Sequence, residues 1–314
     1  MGKKTLEKTK NNIIEYRKAV IVLILLVFPM NIFADSSINV HVSILPQKYF
    51  VEKIGKERVK VNVLVKPGKS PATYAPAPDQ IKKLNMSDIY FKIGVPFENS
   101  ILHKIQLINK TQIIDTNRDI VLRDMTKHNH NSQNGTGHGH STGQDPHTWM
   151  DPLIVKTQAH IIFQTLLEYD SKFNPEFNLD VKKEYEENYF EFIRELDKLD
   201  KRLHAILKEL KGKNIFVFHP FLGYFTDAYG LKQVAIETMG KAPRGKELSK
   251  FIKLARKEKI KTIFVQPQFD KNAAQKIASI INGRVISIDP LAYDYLANME
   301  NIGTTIAQQL KKNN

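Results

Sequence analysis

The chain has ten histidines in 314 residues, and five of them, His128, His130, His138, His140 and His147, fall within residues 128–147. The first four sit in a tract rich in Gly, Asn and Ser, with too little apolar content to build a packed core. A run of imidazoles on such a tract is a composition suited to capturing metal ions. His147 lies in DPHTWMDP (145–152), which brackets it and the only Trp between two Asp-Pro pairs. There is no cysteine. Disulfides, thiolate catalysis, cysteine zinc fingers and iron–sulfur clusters are thereby excluded, and any metal site must use His, carboxylates and neutral oxygens.

A second set of chemical groups ends the apolar runs of the C-terminal half. His219, Gln266 and Asp289 each follow such a run and precede a proline, and Glu237 ends a fourth run. If the runs are parallel strands, all four residues lie on the carboxyl edge, where open α/β sheets place their ligands.

The surrounding pattern supplies those strands. Residues 38–44 and 59–65 alternate with period two, and 88–93 and 112–114 are further strand candidates. In the second half the candidates are 215–218, 233–236, 262–265 and 284–288. Helical stretches lie between them: one is expected to start near Gln80 with Asp79 as its cap, and others cover about 246–258, 271–282 (capped by Asp270) and 292–312. From about 181 to 211, Tyr185, Tyr189, Phe192, Leu196, Leu199, Leu203, Ile206 and Leu210 recur at steps of three and four. That stripe predicts one long helix ending before Gly212. The expected class is α/β, with two Rossmann-like lobes of mostly parallel strands joined by this helix. The expected segments are a leader at 1–34, a first lobe at 35–178 carrying the histidine-rich loop 127–147, the linking helix at 179–212 and a second lobe at 213–314.

Residues 1–18 are polar and basic, 19–28 form an unbroken apolar run, and Ala34 closes a short neutral stretch. This is the layout of an export signal, and it predicts a periplasmic protein. The alternative is an uncleaved anchor, although the run is shorter than the roughly 20 apolar residues of a membrane span. The net charge of +14 is spread along the chain without an Arg cluster interleaved with aromatics, so no nucleic-acid partner is expected.

Four stretches resemble one family: PGKSPATYAP (67–76), DPHTWMDP (145–152), HPFLGYF (219–225) and VISIDPL (285–291). They look like the conserved segments of cluster A-I (cluster 9) metal-binding proteins of ABC importers, in particular the periplasmic zinc-uptake proteins and their manganese-binding relatives. The resemblance implies two α/β lobes on a backbone helix with the metal between them. It implies His147 and His219 as ligands from the two lobes, and Asp289 as a carboxylate ligand. The implied partners are a divalent metal ion and a membrane permease with its cytoplasmic ATPase, and a monomer is expected. Ala72 stands where the family usually has a ligating His. The site is then three-coordinate plus water, or a loop histidine, Glu237 or Gln266 completes it.

Two imidazoles and a carboxylate suit Zn2+, with Mn2+ as the alternative, and the histidine tract favours zinc. No HExxH is present and no Glu is placed beside a His as a general base, so an enzyme is not expected. The remaining alternative is a zinc-buffering or adhesion protein outside transport.

Overall fold

The computed structural model describes residues 37–106, 111–125, 143–237 and 245–312. The expected leader (1–34) and His128, His130, His138 and His140 lie outside the described residues. In the first half β1 (Ile38–Val42), β2 (Val59–Val63), β3 (Ile89–Lys92) and β4 (Gln112–Asp115) form a parallel sheet in the order β2-β1-β3-β4. In the second, β5 (Asn214–Val217), β6 (Lys232–Ala235), β7 (Thr262–Val265) and β8 (Arg284–Ser287) repeat it in the order β6-β5-β7-β8. Every described pairing between these strands is parallel, where a mostly parallel sheet was expected. The strand order reverses between β1 and β3 and again between β5 and β7. Each reversal opens a crevice at the carboxyl ends of the two strands, as in doubly wound sheets.

Local chemistry sets the helix boundaries. α1 (Leu45–Gly55) begins one residue after Ile44, with Pro46 in its first turn, so β1 stops at Val42 and not at Ile44. α2 (Pro78–Leu84) starts two residues before the expected position. Proline is pre-organised for the first helical turn, so Ala77 becomes the cap and Asp79 falls inside the helix, where its charge faces the positive dipole end. α3 (Glu98–Gln106) follows β3, and α4 (Pro152–Phe173) is capped by Asp151, whose Oδ1 accepts from the Leu153 amide at 2.8 Å.

α5 (Leu179–Leu207) runs for 29 residues behind an Asn178 cap and is extended by a 3-10 turn, Lys208–Leu210. Its buried stripe includes Tyr185, Phe192, Leu196, Leu199 and Leu203, while Tyr189 and Ile206 are half-buried. The chain turns off this helix at Gly212, whose φ of +78° favours glycine. The second half adds α6 (Gly223–Tyr229), α7 (Lys246–Lys257), α8 (Lys271–Ile280) and α9 (Tyr295–Lys311). α9 crosses α5 at Gly303, where an added Cβ would lie 2.5 Å from Leu203 Cδ2. One apolar core runs from Val40 and Phe91 through Trp149 and Leu199 to Phe225 and Ile302, and the long helix packs against α1 and α4 of the first half and α6 and α9 of the second. A second core lies under α7 and α8. No helix among the described residues is long and apolar enough to cross a membrane.

The crevice of the first sheet is filled by the protein's own carboxylate. Glu98 accepts from the amides of Ile93 (2.9 Å) and Gly94 (2.7 Å) and from the Ser43 hydroxyl (2.5 Å). Burial nevertheless outweighs these donors and pushes its pKa up to about 7. The folded chain therefore keeps a proton on Glu98 that the unfolded chain releases near the ordinary 4.5. Stability should be greatest below that value and decline as pH rises through about 7. Urea unfolding of Glu98→Gln across this window should lose that decline, and an unchanged slope would show that other groups cause it.

Candidate metal centre

The segment carrying His147 is fixed at both ends. Before it, Asp145 N donates to Arg123 O (2.8 Å), Asp124 bridges Gln144, and Met125 N donates to Gly143 O (3.1 Å). This antiparallel neck joins the two ends of the histidine tract. After it, a 3-10 turn (Thr148–Met150) leads into α4. Trp149 Nε1 donates to Pro290 O (2.9 Å), and Tyr295 Oη donates to Trp149 O (2.9 Å). The only Trp is thus a buried clasp between the DPHTWMDP and IDPL segments.

Both histidines are held by carboxylates. Asp145 Oδ1 lies 2.7 Å from His147 Nδ1 and also accepts from the His147 amide at 3.0 Å. His219 stands two residues past β5, and its Nδ1 lies 2.7 Å from Oε2 of Glu237, two residues past β6. In the tautomer that gives Nδ1–H to the carboxylate, each neutral ring keeps its lone pair on Nε2, a nitrogen of the kind that can bind a metal. The ring centroids are 5.4 Å apart at 72°. Phe269 stacks on His219 at 4.6 Å and 22° and covers one face of it. Burial pulls the His219 pKa below the usual imidazole range despite the Glu237 hydrogen bond, which favours the neutral, ligating form. Burial by itself would raise the Asp145 carboxyl, but His147 and Arg123 beside it hold it below the usual range.

A cavity of about 40 Å³ lies between the halves. His147, Trp149, Met125 and Pro146 line it with the 70–72 loop, Val95 and Pro96 from the first half; His219, Gln266, Gln268, Phe269 and Leu291 line it from the second. His219 and Gln266 come from the carboxyl ends of β5 and β7, the crevice where the strand order reverses. Gln266 is only 5% exposed, and its Oε1 has no hydrogen-bond partner among the described residues. Gln268 Oε1 likewise has no partner among the described residues, while its Nε2 donates to Asp289 Oδ1 at 3.0 Å.

Of the residues singled out in the sequence, the fold gathers His147, His219 and Gln266 around the cavity, with Ala72 on the same lining. Glu237 is not part of the lining and engages His219 at Nδ1. The Oδ1 of Asp289 is occupied by Gln268 and by the Leu291 amide (3.0 Å). Among the described residues no group of three His, Asp or Glu is gathered closely enough to hold a metal. Sequence reasoning missed Asp145, Gln268, Phe269 and Arg123. Asp145 had a signal, an acid two positions before a candidate ligand, whereas the other three become neighbours of the site only through the fold.

The family described as the periplasmic component A of zinc-uptake complexes has a model that matches residues 40–309. The zinc-binding lipoprotein AdcA of Streptococcus pneumoniae is 24% identical over 254 residues, covering 79% of this chain and 48% of that protein. The chain thus spans about half the length of that relative. The high-affinity zinc uptake system protein ZnuA of Bacillus subtilis is 24% identical over 269 residues, covering 82% of this chain and 81% of that one. A crystal structure of ZnuA superposes with a TM-score of 0.76 at 33% identity, covering 87% of this chain and 99% of that one. A zinc-bound ZnuA with residues 138–173 deleted gives 0.77 at 34% identity, covering 87% and 98%. The two-lobed parallel fold, the carboxylate-backed histidines facing each other across a cavity and the match over residues 40–309 lead to one assignment: the chain belongs to the family of periplasmic zinc-uptake components.

Proposed function

We propose that this protein captures a divalent transition metal, zinc in preference to manganese, between its lobes outside the cytoplasm and delivers it to an ABC importer permease served by a cytoplasmic ATPase. In this reading residues 1–34 direct export and the carrier acts as a monomer without catalytic activity. One observation carries it: His147 and His219, brought from different halves, each have Nδ1 engaged by a carboxylate and share one cavity. That is the pattern of a metal-binding imidazole, where the second nitrogen fixes the tautomer and the ring's aim. The names of the matched relatives and the zinc-bound ZnuA structure support zinc as the cargo.

His147 and His219 are proposed as ligands, with the amide oxygen of Gln266 as a third donor, because it is a buried acceptor that lacks a partner beside both rings. Water, Asp289 or a histidine of the tract completes the shell where Ala72 supplies nothing. His128, His130, His138 and His140 are proposed as auxiliary collectors, since Met125, the last described residue before their tract, lines the cavity.

Titration of chelator-stripped protein tests this reading. One tight zinc ion per chain is expected, with weaker ions beyond it, and manganese should bind the tight site more weakly. Deleting residues 128–140 should remove weak ions and leave the tight one. Manganese binding as tightly as zinc would overturn the preference. Loss of all binding on deletion would make a tract histidine an essential ligand.

A further inference from the structure

Arg123 is the residue whose surroundings the proposed binding site leaves unexplained. It lies on the neck that closes the histidine tract, and its side chain passes between the two halves of the protein. Nη1 lies 3.0 Å from Asp145 Oδ2, the oxygen not used by His147. Nε lies 3.1 Å from Asp227 Oδ2 on α6, in the other half, at ion-pair distance but without hydrogen-bond alignment. The guanidinium carbon sits 5.8 Å from the Tyr224 ring centroid. The backbone repeats the connection: Arg123 N donates to Tyr224 Oη (3.1 Å), and Tyr224 Oη donates to Asp145 O (3.0 Å). Gly223 makes room for this arrangement. A Cβ there would overlap Arg123 Nη1 and lie 2.5 Å from Asp145 Oδ2.

We infer that Arg123 is a positioning residue for the metal site: by holding Asp145 through its second oxygen it fixes the aim of His147. Asp145 is fully buried and shows 0% side-chain exposure, so its carboxylate needs both oxygens satisfied. His147 satisfies one and Arg123 the other. A carboxylate held at only one oxygen can rotate, and the imidazole hydrogen-bonded to it then loses its fixed direction. The two contacts of the guanidinium are unequal. Asp227 is 63% exposed, so its ion pair is screened and contributes little, whereas the Asp145 pair is sheltered and sets the geometry. Arginine suits this place because its planar fork meets two carboxylates from different directions, which the single ammonium of lysine does less well.

The inference rests on His147 being a ligand, so His147→Ala serves as the control. Zinc affinity and zinc release are measured on the full chain by chelator competition, with circular dichroism checking the fold. Arg123→Gln should weaken zinc about tenfold, the lower end of what loss of a ligand's orienting partner costs, and should speed release by a similar factor. Gly223→Ala should reproduce the effect with every charge kept, since it takes the guanidinium's space. Asp227→Asn should change affinity less than about threefold. The Arg123→Gln/Asp145→Asn double variant should be no weaker than Asp145→Asn alone, because Arg123 acts through Asp145. In nitrogen-15 histidine spectra the Nδ1–H signal of His147 should shift or broaden in Arg123→Gln, and Arg123→Lys should recover part of both signal and affinity. Unchanged zinc affinity in Arg123→Gln while His147→Ala loses binding overturns the inference alone, as does a double variant whose loss is the product of the singles. Unchanged affinity in both His147→Ala and Arg123→Gln overturns the ligand assignment and the inference with it.

Discussion

His147→Ala and His219→Ala should each lower zinc affinity by more than about 100-fold, with the fold intact by circular dichroism. Loss of a ligand's hydrogen-bond partner alone costs about 10–100-fold in metal sites, and removing the ligand itself costs more. The two variants should be nearly equal, since each half contributes one imidazole to the cavity and, among the described residues, no other His, Asp or Glu lines it. Glu237→Ala should fall in the 10–100-fold range, because it frees the His219 ring without removing it. Asp289→Asn should cost least, since the Oδ1 of Asp289 is already engaged by Gln268 and the Leu291 amide. Zinc titration of the four variants gives this order directly. Wild-type affinity in both histidine variants would place the tight site elsewhere in the chain.

Gln266→Leu should move stability and binding in opposite directions. Gln266 is buried with an unpartnered Oε1, and an unsatisfied buried acceptor costs about 1–3 kcal/mol. Leucine has nearly the same volume and needs no partner, so the metal-free protein should gain stability of that order. The same change removes an oxygen donor from the cavity and should weaken zinc about tenfold, which is roughly 1.4 kcal/mol. A residue that destabilises the empty protein and is satisfied by the cargo is expected at a binding site. Urea unfolding with and without zinc separates the two effects. A Gln266→Leu protein that is no more stable when empty, and binds zinc like wild type, would show that Oε1 is satisfied by solvent and takes no part in the shell.

The chemistry was legible in the sequence where it depends on residue type and on near neighbours. The five clustered histidines, the lack of cysteine and the DPHTWMDP block pointed to nitrogen and oxygen ligation before any fold was considered. Apolar runs, two of them alternating with period two, located the eight described strands within about two residues, because a buried parallel strand must be apolar wherever it is covered. The stripe from Tyr185 to Leu203 marked the long helix, since only one face of it meets the core. Helix starts were less legible where two signals competed, as at Pro78 and Asp79, and proline decided that boundary.

Which polar groups work together was decided by the tertiary structure alone. Glu237 and Gln266 read alike as acids or amides at strand ends, yet β6 lies on the far side of β5 from β7. That order places Glu237 at Nδ1 of His219 and brings Gln266 beside the cavity. Asp289 could be named from its motif, but the partner its carboxylate finds, Gln268, is set by the turn after β7. Arg123 carried no signal in the sequence: its significance comes from a glycine 100 positions away that leaves it space, and from an aspartate across the neck that needs a second donor. Composition and periodicity determine which side chains are buried and which elements form. The pairing of buried charges follows from strand order and from the close approach of segments far apart in the chain, because only there does desolvation compel a partner.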